Sequence, residues 1–326
     1  MRLDHMKVNF VKMHGAGNDF VVVDEWTEEV VPEEHKPDFV RSISDRHFGV
    51  GSDEVMFIHK SRKFDARFVF YNPDGTKVEM SGNGIRCLAK YAHDSGYTTK
   101  NEINVETPSG IKDLLLTLYN DKVEQVRVDM GEPQLTRGLA QVSGDPRDTF
   151  INQEVNVDGV TYKVTAVGMG NPHAIIFVGD AAAVDVKGIG TKIRYMTDLF
   201  PHGTNVHFVQ QKGGNEFTIR SYERGVEDET LACGTGICAA AVAATLNRKA
   251  DAKRTFKFHT KGGDLNVKLE CDGERFSRVY LKGPAAEVYR GEYNYDPLRR
   301  LENAAAKFIA NYAGETMKNH GAAAPK

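Results

Sequence analysis

Four motifs occur twice along this chain, in the same order and at a nearly constant spacing. In the first half they are "HGAGNDFVVVD" at 14–24, "FGVGSDEVMFI" at 48–58, "FDARFVFYNPDG" at 64–75 and "SGNGIRC" at 81–87. In the second half they are "GMGNPHAIIFV" at 168–178, "FPHGTNVHFVQ" at 200–210, "NEFTIRSYERG" at 215–225 and "CGTGICA" at 233–239. Single Gly-rich strings recur by chance, but four in one order do not. We therefore predict an internal duplication of a whole domain.

The duplication predicts two homologous domains and a tail. With 326 residues, the chain is long for one hydrophobic core and suits two domains. We place the N-terminal domain at 1–130, completed by 283–300 after the chain returns, and the C-terminal domain at 131–282. Residues 301–326 form an Ala-rich tail, which we predict to be helical and frayed at its end.

Within each copy, most segments read as strands. Runs such as "FVVVD", "VMFI" and "FTIRSY" are β-branched and aromatic and are bounded by Gly, Asn or Pro. One helix follows each Gly-x-Gly turn, and the second, "GICAAAVAATL", is apolar on nearly every side, which is typical of a buried helix. The predicted fold is α+β: two pseudo-symmetric domains, each a mixed, mostly antiparallel sheet wrapped around a central helix, with the active site in the cleft between them.

The repeated turn suggests a chemistry. A helix N-terminus offers unpaired N–H groups and a partial positive charge, and it therefore binds anions such as a carboxylate. The same field lowers the pKa of a thiol, so Cys233 is expected to be a thiolate base. A base on one face of a tetrahedral carbon and an acid on the other is the geometry of racemisation. Ser81 stands at the matching place in the first copy.

Composition excludes several classes of partner. Hydrophobic residues make up 40% of the chain and charged residues 27%, and the formal net charge is −3, so no large positive field is available for nucleic acid. We expect no membrane span and a cytoplasmic location. The four cysteines have no Cys-x-x-Cys spacing, and His202 and His207 flank a turn, so we expect no metal. "GAGNDF" lacks the third Gly of a dinucleotide motif, and no cofactor is expected.

The motifs resemble those of the diaminopimelate epimerase family across roughly residues 7–293. The most specific are "YNPDGTKVEMSGNGIRC" and "YERGVEDETLACGTGICAAA", together with "MHGAGNDFVVVD" and "GTNVHFV". The resemblance implies a cofactor-independent enzyme that interconverts L,L- and meso-diaminopimelate in lysine and peptidoglycan synthesis. It implies a small-molecule amino-acid substrate and a homodimer.

The resemblance also implies roles for individual residues. Cys233 matches a catalytic cysteine, and His173 and Glu223 match polar groups that tune the thiols. The turns that bind the reacting carboxylate are matched by Gly82, Asn83, Gly234 and Thr235. The residues that hold the substrate's amino groups and distal carboxylate are matched by Asn18, Asn72, Asn171, Asn205, Glu223 and Arg224, and position Glu54 belongs to the same set. Cys87, Cys238 and Cys271 are interpreted as structural.

Three positions depart from the family pattern. Ser81 occupies the place of the second catalytic cysteine, and a hydroxyl is a poor base unless a neighbour activates it. Glu54 stands where Gln is expected, which would add a negative charge near an acidic substrate. Residues 137–162 are longer than the family requires.

Two alternative functions remain open at this point. One is another cofactor-independent amino-acid racemase or a dehydratase of the proline racemase type. The other is a protein that binds the substrate with little turnover because of Ser81, including a deliberate Cys-to-Ser variant. The presence of Arg224 and the set of Asn residues favours a dicarboxylic diamino acid over a proline-like substrate.

Overall fold

The computed structural model describes residues 5–78, 80–273 and 275–297. The predicted C-terminal helix and tail lie outside these residues. Strands dominate. They are β1 Met6–Gly15, β2 Asn18–Asp24, β3 Glu54–His59, β4 Ala66–Tyr71, β5 Lys77–Val78, β6 Glu102–Thr107, β7 Gly110–Tyr119, β8 Lys122–Asp129, β9 Gln153–Val157, β10 Val160–Gly168, β11 Pro172–Phe177, β12 Asn205–Gly213, β13 Glu216–Glu223, β14 Asp228–Thr230, β15 Phe256–Thr260, β16 Gly263–Asp272, β17 Arg275–Pro284 and β18 Ala286–Tyr295.

Four α-helices and a short 3-10 helix, Glu33–His35, accompany these strands in the described chain. The α-helices are α1 Lys36–Ile43, α2 Gly82–Asp94, α3 Val186–Arg194 and α4 Gly234–Leu246. No helix among the described residues has the length and apolarity needed to cross a membrane. α2 ends at its C-cap, Ser95, and Gly96 follows directly with φ 80°.

The order of strand pairing is the same in the two halves. In the first, β1 is antiparallel to β2, β2 is parallel to β3, β3 is antiparallel to β4, and β4 is parallel to β6, which continues into the antiparallel strands β7 and β8. In the second, β10, β11, β12, β13, β15, β16 and β17 repeat these relationships in turn. The predicted α+β duplication is therefore confirmed in the pairing of the strands.

The two halves are joined through their sheets. β8 pairs antiparallel with β17, and the last strand, β18, pairs antiparallel with β1 over residues Met6–His14. β9 occupies the corresponding edge beside β10. The last strand of the described residues therefore lies beside the first half.

Each half wraps its sheet around one helix. In the first, α2 is buried against the apolar faces of β1, β2, β4 and β8, with Ile85, Leu88 and Ala89 fully buried. In the second, every residue of α4 from Ile237 to Ala244 is fully buried. Because both helices run inward from the same place in the repeat, their N-termini are brought to the junction of the halves.

Candidate active site

Ser81 and Cys233 occupy the same position on the two central helices. Each is the N-cap, with extended backbone angles of φ −134° and ψ 112° for Ser81 and φ −110° and ψ 104° for Cys233. The hydroxyl of Ser81 accepts a hydrogen bond from the N–H of Gly84 at 3.2 Å. The repeated turn thus places an oxygen at one helix end and a sulfur at the other.

The two helix ends meet at one side chain of β17. A Cβ atom built on Gly82 would lie 3.8 Å from Cδ2 of Leu281, and one built on Gly234 would lie 3.1 Å from the same atom. Asn83 crosses the junction, since its Nδ2 donates to the carbonyl of Ala232 at 3.5 Å. Both helix termini therefore face one small region, where an anion would meet N–H groups from two sides.

Arg86 fixes Asn83 at this junction. Its guanidinium is fully buried and donates to Oδ1 of Asn83 at 2.9 Å, to the carbonyl of Gly82 at 3.1 Å and to the carbonyl of Pro284 at 3.1 Å. Burial lowers the pKa of Arg86 to about 10. Because Oδ1 of Asn83 is held by Arg86, its Nδ2 is turned towards the site, where it donates to Oδ1 of Asn18 at 3.2 Å.

The environment of Cys233 differs from the prediction. Burial and the neighbouring carboxyl group of Glu223 hold the pKa of the Cys233 thiol well above its ordinary value, although the N–H of Gly236 and the hydroxyl of Thr235 favour the thiolate. Sγ lies 3.7 Å from Oγ1 of Thr235. The prediction of a lowered pKa from the helix terminus alone was wrong, because desolvation outweighs the helix field here.

Each of these N-cap residues has a glutamate beside it. Glu223, at the end of β13, accepts a hydrogen bond from the hydroxyl of Thr230 and lies close enough to the Cys233 thiol for the two groups to shift each other's pKa. Glu54, at the start of β3, lies beside Ser81, which lowers the pKa of its carboxyl group. Burial raises the pKa of both carboxyl groups, that of Glu54 to about 8. Glu54 is thus mostly protonated at neutral pH and does not add the negative charge that the sequence suggested.

A chain of hydrogen bonds crosses the second half below Cys233. Nε2 of His173 contacts Oδ1 of Asn171 at 2.8 Å, Nδ1 of His173 contacts Nε2 of His207 at 2.9 Å, and Nδ1 of His207 contacts Oγ of Ser221 at 2.8 Å. Both imidazoles are buried, and burial lowers their pKa values, that of His207 to about 3. Both rings are therefore neutral.

The cluster also bears on metal binding. One donor atom each from His173, His207 and Cys233 lie within 4.8 Å of one another. All four ring nitrogens are already engaged in the hydrogen-bonded chain, and the adjoining end of α4 is the positive end of a helix dipole. The arrangement suits a chain of neutral polar groups better than a cation.

Gly236 allows His207 to approach the helix. A Cβ on Gly236 would lie 2.1 Å from Cε1 and 2.5 Å from Nε2 of His207. The corresponding Gly84 meets Phe70 and Phe20 instead, at 2.4 and 3.1 Å. The glycines of the two turns are therefore required by ring packing as well as by ligand approach.

The predicted Asn residues have different surroundings. Asn18 donates to Oδ2 of Asp53 at 2.9 Å, next to the ion pair of Arg46 with Asp53. Asn72 lies in the turn after β4 and donates to Oγ1 of Thr76 at 3.0 Å. Asn205 is buried, donates to the carbonyl of Pro172 and accepts from the N–H of Arg224, both at 2.9 Å. Asn205 therefore supports the backbone that carries Arg224.

Arg224 has a guanidinium available for an anion. Its Nη1 donates to the carbonyl of His202 at 3.0 Å, and no ion pair to it is found among the described residues. Burial lowers its pKa. A partly buried arginine of this kind is suited to a carboxylate arriving from outside.

Sequence reasoning missed Arg86, His207 and Ser221. The signal for the last two was strand alternation, because His207 pairs with Ser221 across β12 and β13, and Asn205, two residues earlier, pairs with His173. Polar residues at alternate positions on buried strands share a face. The structural interpretation of Cys87, Cys238 and Cys271 agrees with their positions: all are free, the first two are fully buried, and burial raises the pKa of Cys87 to about 12.

Comparison with known proteins decides the family. The profile of the family described as diaminopimelate epimerase matches residues 10–136 and 165–288. The chain belongs to the diaminopimelate epimerase family. It is 43% identical over 293 residues to the diaminopimelate epimerase of Desulfitobacterium hafniense, covering 89% of this chain and 100% of that protein. It is 42% identical over 291 residues to the diaminopimelate epimerase of Acetivibrio thermocellus, with the same coverage.

Solved structures share the epimerase fold at low identity. A probable proline racemase from Agrobacterium radiobacter is 16% identical, with a TM-score of 0.66 over 89% of this chain and 94% of its own. A PhzF-family protein from Bacillus anthracis is 14% identical, with a TM-score of 0.64 over 88% and 99%. The residues between the two matched regions, 137–164, include the whole of the segment 137–162 that was predicted to exceed the family's length.

Proposed function

We propose that this protein interconverts L,L- and meso-diaminopimelate without a cofactor, in the synthesis of lysine and peptidoglycan. The observation that carries the proposal is the pair of N-cap residues, Ser81 and Cys233, at two helix ends that converge on Leu281. A planar carbanion held there has one N-cap residue available to each of its faces. Membership of the diaminopimelate epimerase family supplies the substrate.

The reacting carboxylate is assigned to the turns at the two helix ends. Gly82, Asn83, Gly234 and Thr235 form these turns, whose free N–H groups stabilise negative charge. As Cα–H is broken, charge moves into the carboxylate, and this stabilisation grows in the transition state. In the proposal, Cys233 exchanges a proton with one face, and Glu223 and His173 set its environment.

The other end of the substrate is assigned to Arg224 and the Asn residues. Arg224 is proposed to bind the distal carboxylate, with Asn205 holding its backbone in place. The substrate's amino groups are assigned to carbonyl oxygens of Asn18, Asn72 and Asn171 and to Glu54 and Glu223.

The first unit of the duplicated fold is proposed to cover 1–130 with 283–300, and the second 131–282.

The direct test is to incubate the protein with L,L-diaminopimelate and to resolve the isomers by chiral chromatography. Formation of the meso isomer is expected, and equilibrium should be approached from both directions. A protein that binds the substrate in a calorimeter but forms no meso isomer would be a binding protein. Turnover of proline or hydroxyproline in its place would assign the chain to the other racemases.

A homodimer and a cytoplasmic location belong to the same proposal, on the strength of the family resemblance. Sedimentation equilibrium of the full chain is expected to give twice the monomer mass. A single species at the monomer mass would contradict the dimer while leaving the reaction unaffected.

A further inference from the structure

Ser81 has a neighbour that can accept its proton. Its Oγ accepts the N–H of Gly84, so the hydroxyl hydrogen is free to point elsewhere. The carboxyl group of Glu54 lies close enough to Ser81 for this residue to lower its pKa. One of its carboxyl oxygens, Oε2, is buried from solvent and has no hydrogen-bond partner among the described residues. The Ser81 hydroxyl at the helix end therefore lies near a carboxyl group that has one buried oxygen without a hydrogen-bond partner.

We propose that Glu54 accepts the proton of Ser81, so that the two side chains together replace a thiol on this face of the substrate. The inference rests on the proposed epimerase function and deepens it. The two departures from the family pattern, Ser for Cys and Glu for Gln, are then one change: the weaker acid at the helix end is combined with a base behind it.

The Cα–H bond breaks and its electron pair stays on the α-carbon, while that proton binds Oγ of Ser81. The original Ser81 O–H bond breaks, its electron pair stays on Oγ, and its proton binds the Glu54 carboxylate. The Cys233 thiol then gives its proton to the opposite face of the carbanion and becomes a thiolate. Negative charge has moved from Glu54 to Cys233, and a proton returns from Glu54 to Cys233 through solvent.

The charged surroundings make Glu54 suited to this role. Burial raises the pKa of Glu54 to about 8, and Asp53 and Glu223 raise it further while Ser81 lowers it. The Cys87 thiol on α2 also interacts with Glu54. A base whose pKa lies near the working pH transfers protons efficiently in both directions. Exchange on the Ser81 face should therefore increase with pH and be half-maximal near pH 8.

The test uses the full chain in deuterium oxide with L,L- and meso-diaminopimelate. Exchange at each α-carbon is followed by proton NMR and epimerisation by chiral chromatography. Glu54→Gln should slow epimerisation by about 10²-fold or more, the contribution of a well-placed base, while exchange on the Cys233 face stays within about tenfold. The control is Glu106→Gln, which alters the acceptor of a second Ser–Glu pair, Ser61 to Glu106 at 2.9 Å, and should leave both rates unchanged.

A double variant separates this role from damage to the site. Ser81→Cys combined with Glu54→Gln supplies a thiol beside a neutral amide and should recover epimerisation to within about tenfold of the unaltered protein. Failure to recover would overturn the proposal, as would a Glu54→Gln rate above a tenth of normal or equal loss of exchange on both faces. Absence of both exchange and epimerisation in the unaltered protein would instead contradict the epimerase function itself.

Discussion

Nδ1 of His173 and Nε2 of His207 are joined by a buried 2.9 Å hydrogen bond that fixes the tautomer of both rings. Oδ1 of Asn171 can only accept, so Nε2 of His173 carries the hydrogen and Nδ1 accepts from His207. Nδ1 of His207 then accepts from the hydroxyl of Ser221. The chain runs in one direction from Ser221 to Asn171 and orients the amide that is proposed to contact the substrate.

The hydrogen bonds of the two histidines predict that the protein loses stability in acid. The pKa of His207 is lowered to about 3 in the folded protein, so between about pH 6.5 and 3 the unfolded chain binds a proton that the folded protein does not. Stability is therefore present above pH 6.5 and is lost as the pH falls. Between pH 7 and 5, His207→Gln should reduce the loss in unfolding free energy by about 2 kcal/mol, measured by urea denaturation. Substitution of the exposed His47 by Gln should leave the loss of unfolding free energy unchanged. Equal losses in the two variants would contradict the role given to His207.

Gly236→Ala should destabilise the protein by about 1–3 kcal/mol or more, because its Cβ would lie 2.1 Å from Cε1 of His207. Activity should fall with it as His207 is displaced. The matched control is Gly179→Ala, where a Cβ meets nothing within 4 Å. Thermal unfolding of both variants gives the comparison, and similar melting temperatures would show that the His207 ring moves aside at little cost.

The duplication could be predicted from the sequence because it is written in local strings. Each copy contains Gly-x-Gly turns, β-branched runs and one apolar helix, and these recur at a nearly constant spacing. Each of them can be recognised from a few neighbouring residues. The N-cap positions of Ser81 and Cys233 followed from the same strings. Secondary structure and the general place of the site were therefore within reach.

The protonation states of the site could not be predicted from the sequence, because they depend on residues that only the fold brings together. The pKa of Glu54 depends on burial and on Ser81 and Glu223, which are far from it in sequence. The duplication does not predict the hydrogen-bonded chain, because the two halves differ at its positions. His173, His207 and Ser221 of the second half correspond to Phe20, Met56 and Phe70 of the first. One half has a polar chain where the other has an apolar cluster.

Glu54→Gln should also change how stability depends on pH, independently of catalysis. The pKa of Glu54 is raised from 4.5 to about 8, so its contribution is fully present below about pH 4.5 and is lost as the pH rises to about 8. Relative to the variant, the unaltered protein should lose up to about 1.4 kcal/mol of unfolding free energy per pH unit in this range. Urea denaturation of both proteins at pH 5 and 8 measures this difference. A constant difference between the two proteins would mean that Glu54 is ionised at both pH values.

Arg224→Lys should weaken binding of diaminopimelate about tenfold or more and binding of lysine, which lacks the distal carboxylate, much less. A lysine ammonium cannot make the two-pronged contact that a guanidinium makes with a carboxylate. Isothermal titration calorimetry with the two amino acids gives the comparison. Arg290→Lys, which alters an exposed pair with Glu287, should weaken neither. Equal weakening for both ligands would remove Arg224 from the distal carboxylate.

Cys233→Ala should abolish epimerisation and also exchange on its own face, because no other thiol lies at a helix end. The fold should survive, since Cys233 makes no capping hydrogen bond and the substitution removes only the sulfur from a site that is 4% exposed. Cys271→Ala, in a surface hairpin strand, should retain full activity and serves as the control. Rates are measured with both isomers, and circular dichroism checks the fold. Because Glu54 and Ser81 are proposed to act on the other face, that face alone should still exchange its α-hydrogen in Cys233→Ala. A variant that keeps more than a tenth of the normal epimerisation rate would show that Cys233 is not the group that serves its face.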